Sequence, residues 1–271
     1  MILTSSTHNH STLCDGKNTP REMAEAALAA GFTDLGFSSH SLTPFDPDYS
    51  IRDEAEYVRT LRALQKEYAG RLRIFVGLEQ DFYAPVQNRA ALDYIVGSVH
   101  YLRGAAGKYY AMDGPAEMVD ECIRQEFGGD VLAMTRAYYA LVAENARRYR
   151  PEVIGHFDLV KKNNQGNRLF HEDDPAYRAA ALEALDVCVD TGAVIELNTG
   201  GILRCGCSEP YPARFLLEAL YARGARITIN GDAHRTNALT FWFDEALSLL
   251  RDVGFGSVAV WENGAFVDKP L

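Results

Sequence analysis

The chain has 271 residues, with 27 Lys and Arg against 37 Asp and Glu, a formal net charge of −10, and 47% hydrophobic and 24% charged residues. That balance is ordinary for a globular chain and excludes a disordered or collagen-like one, while so acidic a surface disfavours polymeric nucleic acid and anionic membrane as partners. No apolar run has the length of a membrane span, and the start MILTSSTHNH turns polar after three residues, so neither a spanning segment nor a secretory leader is expected.

Short β-type runs alternate with helical patterns along the chain. The first run is Met1–Ser6. Thr19, Pro20 and Glu22 then make a capping box for a helix through AEAALAA that stops at Gly31. The next runs are Asp34–Ser38, Arg73–Glu79, Tyr94–Val99, Val153–His156, Val194–Asn198, Arg226–Asn230 and Ser257–Trp261. Helices are predicted over Ile51–Glu67, Ala116–Gly128, Asp130–Arg150, Asp174–Thr191, Ala213–Arg223 and Asn237–Asp252. Strands alternating with helices indicate parallel βα units, and seven such units followed by a last strand predict an α/β barrel, closed or nearly so, with a doubly wound sheet as its competitor. Glu262-Asn263-Gly264 predicts a tight hairpin turn, an irregular tail on the barrel.

The seven His are the chemically informative residues. His8, His10, His40, His100, His156 and His234 follow or end predicted strands, as do Glu79 and Asp232; Asp15 lies in the first strand-to-helix loop, and His171 falls in a polar surface segment. In a (βα) barrel the C-terminal strand ends share one face, so these residues would converge on one pocket. His8 and His10 are two apart and can share a strand face; Asp232 and His234 repeat the pattern. Each piece alone has a plain structural reading, but six imidazoles and three carboxylates on one rim have no use in a core. Imidazole with carboxylate suits Zn, Mn or Fe, and nine donors exceed the needs of one ion, so two or three divalent ions are expected.

The five Cys lack framework spacing and read as reduced thiols of a cytoplasmic protein. Cys14 is expected beside the ions as a neighbour. Cys205-Gly206-Cys207 has no partner pair and reads as a loop.

The motifs T-H-N-H-S, C-D-G-x-x-T-P-x-E, S-x-H, G-x-E, G-S-V-H-Y, G-H-F-D-L, E-x-N-T-G-G and G-D-A-H occur in that order between Leu3 and about Ala238. Together they resemble the PHP (polymerase and histidinol phosphatase) superfamily, and are most similar to its histidinol-phosphate phosphatases. The resemblance implies a distorted, TIM-like (βα)7 barrel, read here as one domain over residues 1–271, with a trinuclear metal site. His8, His10, Glu79 and Asp232 would hold one ion; Glu79 would bridge to a second held by His100 and His156; Asp15, His40 and His234 would hold the third. It further implies a small-molecule phosphate monoester, L-histidinol phosphate, as substrate, with nucleotide 3′-phosphates or short oligonucleotides as the alternative and a non-catalytic metal-binding domain as a third reading; Arg204 and either Lys161 or Lys162 would meet the phosphate, and Glu209 is suggested for the substrate's polar end. Glu79, Asp232 and Arg204 would carry the catalysis, by in-line attack of a hydroxide bridging two ions. Oligomeric state is not legible from the sequence.

Overall fold

Why the chain closes on itself is visible in its element order. The computed structural model describes residues 3–271. The elements are β1 (Ser5–Ser6), α1 (Pro20–Ala29), β2 (Asp34–Phe37), α2 (Glu54–Glu67), β3 (Arg73–Asp81), β4 (Tyr94–Ser98), β5 (Tyr101–Arg103), β6 (Tyr109–Ala111), α3 (Ala116–Glu126) and α4 (Val131–Tyr149). They continue as β7 (Val153–Ile154), α5 (Pro175–Asp190), β8 (Val194–Asn198), α6 (Gly200–Cys205), α7 (Arg214–Ala222), β9 (Ile227–Asn230), α8 (Phe243–Val253), β10 (Ser257–Glu262) and β11 (Ala265–Pro270). Seven strands form one sheet in the order β1-β2-β3-β4-β7-β8-β9, and every pair is parallel.

The two ends of this sheet meet at the C-terminal rim. Asn9 and Ala233 form a parallel bridge, with the His10 amide donating to the Ala233 carbonyl at 2.9 Å and the Ala233 amide to the His8 carbonyl at 3.2 Å. The H-x-H and D-x-H segments are thereby zipped side by side, although more than 200 residues separate them in sequence. The bridge brings His8 and His10 up against Asp232 and His234, with Asp232 Oδ1 3.1 Å from His10 Nε2 and 3.4 Å from His234 Nδ1. The sheet is thus a nearly closed seven-stranded barrel, as the sequence predicts.

Strand and helix ends follow local chemistry. Thr19 and Glu22 form the expected reciprocal cap of α1, and Gly31 after it takes φ of 82°, where a side chain would be strained. Asp53 caps α2, so that helix begins at Glu54 and not at Ile51. Inside the barrel, Tyr94 reaches across to the Thr7 carbonyl (2.6 Å) and the Phe37 carbonyl (3.0 Å), tying the ends of three strands. Gly77 makes room for it: a Cβ there would stand 2.5 Å from the Tyr94 ring.

Several predicted elements differ. Met1 and Ile2, the start of the expected Met1–Ser6 strand, lie outside the described residues, and only Ser5–Ser6 pairs as strand. The expected helix from Asn237 breaks: Thr236–Ala238 is a single tight turn, Trp242 adopts φ of 62°, and α8 starts at Phe243. The Ser257–Trp261 run does not join the barrel. As β10 it pairs antiparallel with β11 alone, around the predicted turn at Asn263 and Gly264. This hairpin closes the N-terminal end, where Trp261 packs on Tyr94, Val96, Val153, Phe75 and Phe266. The β5–β6 hairpin and the short helix α6 were not expected from the sequence; both border the C-terminal rim.

Candidate metal centre

Six of the seven strands of the barrel sheet deliver residues to the site. His8 and His10 follow β1, His40 follows β2 and bridges to Glu79 near the end of β3, and His100 follows β4. His156 follows β7, while Asp232 and His234 follow β9; Asp15 enters from the loop before α1. All nine predicted residues come together. His171 is exposed, as expected.

Glu79 is the centre of the arrangement. Its Oε2 lies 3.1 Å from His8 Nε2, 3.4 Å from His10 Nε2 and 2.9 Å from His40 Nδ1. Its Oε1 lies 2.8 Å from His156 Nε2 and 3.2 Å from His100 Nε2. Asp232 Oδ1 stands 3.1 Å from His10 Nε2 and 3.6 Å from His8 Nε2. On the outer side Asp15 Oδ2 lies 3.1 Å from His234 Nε2, and Asp15 Oδ1 lies 3.6 Å from His40 Nε2.

Four atoms at the centre, His8 Nε2, His10 Nε2, Glu79 Oε2 and Asp232 Oδ1, are buried without any hydrogen-bond partner, as are His40 Nδ1 and Asp15 Oδ1 further out. Orphaned polar atoms are costly unless something else pairs with them. The separations among the central four, 3.1–3.6 Å, bracket the ~3.3 Å edge of a tetrahedron of N and O ligands around Zn. Further groupings of donors within 4.8 Å are His10, Asp15, His40 and His234; His8, Glu79 and His156; and His40, Glu79 and His100. The residues present therefore fit metal ions. Among the described residues no such grouping contains a Cys. Cys14 lies 3.5 Å from His10 Nδ1, its thiol pushed up to about 11 by burial and the Asp15 charge, and so stays a neighbour.

The outer partners orient the cluster. Glu196, fully buried in β8, lies 2.7 Å from His8 Nδ1 and accepts from the His156 amide (2.8 Å) and from the Asn198 and Asn230 amides (2.9 Å each). Accepting at Nδ1 places the His8 proton there and leaves Nε2 free for a cation. Asp81 accepts from the His100 amide at 2.8 Å and lies 3.5 Å from its Nδ1. Replacing Glu196 by Gln is expected to weaken metal binding about 10- to 100-fold while the fold persists, read by equilibrium titration against a competing chelator; unchanged affinity would remove the orienting role.

Charges in the metal-free cluster pull in opposite directions. Burial lowers the pKa of His8, but Glu196, Glu79 and Asp232 outweigh it and hold it well above the ordinary imidazole value. His100 is likewise raised against burial, chiefly by Glu79. His10 is driven well down by burial and by the charges of His234 and His40, and His40 is lowered by burial. Burial pushes Glu79 and Asp232 up, yet both are held well below the carboxylate range, Glu79 by His8, His100 and His40, Asp232 by Arg204 and His8. Asp232 also adopts φ of 47°, a left-handed conformation that Asp tolerates.

A cavity of about 250 Å³ opens over the cluster, lined by Asp15, His40, Tyr49, His100, Asp113, His156, Leu159, Lys162, Gly201, Arg204, Cys205, Tyr211, Asp232 and His234. Arg204, on α6, donates to Asp232 Oδ2 at 2.7 Å and to the Asp232 carbonyl at 2.5 Å. Lys162 lies at the wall, its Nζ 2.5 Å from the Asp113 carbonyl. The expectation for Lys161 and Glu209 is corrected: neither lines the cavity. Lys161 is buried between Asp158 (3.1 Å) and Glu209 (2.8 Å), and Glu209 also accepts from the Arg214 amide at 3.1 Å. Burial lowers the Lys161 pKa, but Asp158 and Glu209 outweigh it and raise it, so the ammonium stays charged as a clamp between two loops. Of the two lysines, Lys162 is the one that faces substrate space. Cys205 and Cys207 are free thiols flanking the left-handed Gly206 that ends α6.

Sequence reasoning passed over Glu196, Asp81, Tyr49 and Asp113. Glu196 carried the same signal that singled out Glu79, a carboxylate inside an apolar strand. Asp113 and Tyr49 sit in loops with no spacing signature.

Comparison with known proteins agrees with this geometry. The PHP domain model matches residues 6–200. A probable histidinol-phosphatase of Deinococcus radiodurans is 39% identical over 260 residues, 91% of this chain and 92% of that protein. The histidinol-phosphatase of Bacillus subtilis is 26% identical over 89% of this chain and 97% of its own length. Among solved structures, HisK of Listeria monocytogenes superposes with a TM-score of 0.73 at 19% identity, covering 89% of this chain and 99% of that one. The histidinol phosphate phosphatase of Lactococcus lactis, solved with Zn, L-histidinol and phosphate, gives 0.67 at 20% identity, covering 98% and 100%. Among the described residues no helix is long and apolar enough to cross a membrane.

Proposed function

The chain belongs to the PHP domain family, and on that premise we propose that it hydrolyses L-histidinol phosphate to L-histidinol and phosphate. The observation that carries the reading is the convergence of four orphaned buried donors, His8 Nε2, His10 Nε2, Glu79 Oε2 and Asp232 Oδ1, beside a small cavity that Asp232 lines together with His40, His100, His156 and His234. The 39% identical relative named as a phosphatase of this kind, and the Zn, histidinol and phosphate held by the Lactococcus protein, support the substrate.

Two or three divalent ions, Zn, Mn or Fe, would be held as the motifs suggest: one by His8, His10, Glu79 and Asp232, a second by Glu79, His100 and His156, a third by Asp15, His40 and His234. Bound there, the ions would neutralise phosphoryl charge and lower the pKa of water. The chain's own groups do the rest. Arg204 and Lys162 offer charged donors to phosphoryl oxygens, and Arg204 also fixes the Asp232 carboxylate by a second bond. Glu196 and Asp81 hold His8 and His100 so that no reorientation is needed during reaction. The acidic surface repels long polyanions, and the cavity of about 250 Å³ suits a small ester. The main core, which takes residues from Leu3 to Val260, supports one domain, and unpaired thiols support a cytoplasmic setting.

The test is phosphate release by purified protein from L-histidinol phosphate, nucleotide 3′-phosphates and simple monoesters, with metals quantified and a chelated control. The expected result is chelator-sensitive release at least about 100-fold more efficient on histidinol phosphate, ~3 kcal/mol of discrimination. Metal-dependent release with equal efficiency on all esters would reject the substrate and keep the phosphatase.

A further inference from the structure

One polar group facing the cavity has no task in the arrangement above. Tyr49 stands in the loop between β2 and α2, its ring stacked on His40 (centroids 3.6 Å apart, 23° between planes) and edge-on to His100 at 5.5 Å. Its Oη is buried and has no hydrogen-bond partner. Among the described residues lining the cavity, every other orphaned side-chain atom belongs to the His and carboxylate cluster. Arg204 and Lys162 each keep a contact with the protein, Arg204 to Asp232 and Lys162 to the Asp113 carbonyl, and their remaining N–H groups are the ones assigned above to the phosphoryl oxygens. Stacking on His40 fixes the ring, so the hydroxyl is a positioned donor waiting for an acceptor.

Arg204 stands on the side of Asp232 and His234. On the side of His40 and His100 the phenol of Tyr49 stacks directly on His40, with the charged pair Asp113 and Lys162 also on the wall. Phosphoryl oxygens carry charge before and during reaction and suit cationic donors. The ester oxygen carries little charge in the bound substrate and gains it only as its bond to phosphorus breaks. A neutral donor held in place serves such an atom, because the hydrogen bond strengthens in the transition state and not before.

Resting on the phosphomonoesterase reading, we propose that Tyr49 is a catalytic residue that donates a hydrogen bond to the leaving-group oxygen of the ester. In the step, a bond forms from water oxygen to phosphorus as the bond from phosphorus to the alcohol oxygen breaks. The electron pair of the broken bond stays on the alcohol oxygen, which departs as the alcohol with a proton supplied, in net, by the attacking water. Tyr49 is unchanged at the end.

The experiment compares wild type with Tyr49→Phe, which keeps the ring on His40 and removes a hydroxyl that no protein group uses. Each protein is assayed on L-histidinol phosphate, on 2-aminoethyl phosphate and on p-nitrophenyl phosphate, whose leaving group needs little help. Bound metal is quantified, and inorganic phosphate binding is measured by calorimetry. Expected is a fall in kcat/KM of about 10- to 100-fold on both alkyl esters, of less than about threefold on the aryl ester, with metal content and phosphate affinity unchanged. Because alkyl and aryl esters are compared on one preparation, their ratio does not depend on how much of it is folded or loaded. Equal losses on all three esters, or weakened phosphate binding, would place the hydroxyl on the phosphoryl group and overturn the proposal; so would no loss at all. If wild type shows no preference for histidinol phosphate, the substrate reading fails while the alkyl-to-aryl ratio still decides the role of Tyr49.

Discussion

Glu79→Gln is expected to lower kcat/KM on L-histidinol phosphate by at least about 10³-fold, some 4 kcal/mol of transition-state stabilisation, and to reduce the metal retained after dialysis by at least one ion per chain. The cause is the position of the two carboxylate oxygens. Oε2 faces His8, His10 and His40, and Oε1 faces His100 and His156. One side chain therefore serves two groups of imidazoles, with one carboxylate oxygen facing each. Gln has the same shape but no charge, and one end becomes a donor pointed at imidazole nitrogens. Elemental analysis beside the kinetics checks this. A variant that kept full metal content and lost less than tenfold in rate would remove Glu79 from the bridging position.

Such a centre was largely legible in the sequence because barrel topology does the assembling. Once His8, His10, His40, Glu79, His100, His156, Asp232 and His234 are assigned to strand ends, parallel pairing forces them onto one rim. The Asn9–Ala233 bridge shows how little freedom remains: it fixes the H-x-H and D-x-H segments side by side, so that their four ligand side chains meet. What the sequence could not convey was which polar residues near the rim turn inward. Lys161 and Lys162 are adjacent and chemically alike, yet a turn of the chain at Leu159–Lys161 buries one against Asp158 and Glu209 and aims the other at the cavity. Tyr49 and Asp113 have no periodic pattern to read, since loops take their course from tertiary contacts. Ser257–Trp261 was legible as a strand but not as a plug, because an apolar run of that length packs equally well beside a sheet or beneath one.

The charge pattern of the cluster also dictates how metal loading answers to pH. Removing the ions with a chelator is expected to abolish activity, by at least about 10³-fold, and to leave a cluster whose imidazoles are unequally protonated. His8 and His100 are raised well above the ordinary value by their carboxylate neighbours, so in the metal-free protein they keep their protons above pH 6.5, whereas His10 and His40 are lowered and are already neutral there. Ligation needs the free lone pair, so ions entering at pH 7 must displace protons from His8 and His100. Protons are products of binding; raising the pH therefore strengthens binding, by about tenfold per pH unit for each proton released. The sign for the empty fold is opposite at these two residues. A raised imidazole stabilises the metal-free fold below the unfolded pKa of ~6.5, and that contribution is lost as pH rises through the folded value. Zn titrations at pH 7 in two buffers of different ionisation heat should thus give enthalpies that differ by one to two protons' worth. The gain in Tm on adding Zn should also grow between pH 6 and pH 8. Buffer-independent heats at pH 7, or a gain in Tm that shrinks as pH rises, would mean that His8 and His100 are neutral in the empty cluster and that the carboxylates around them do not govern their protons.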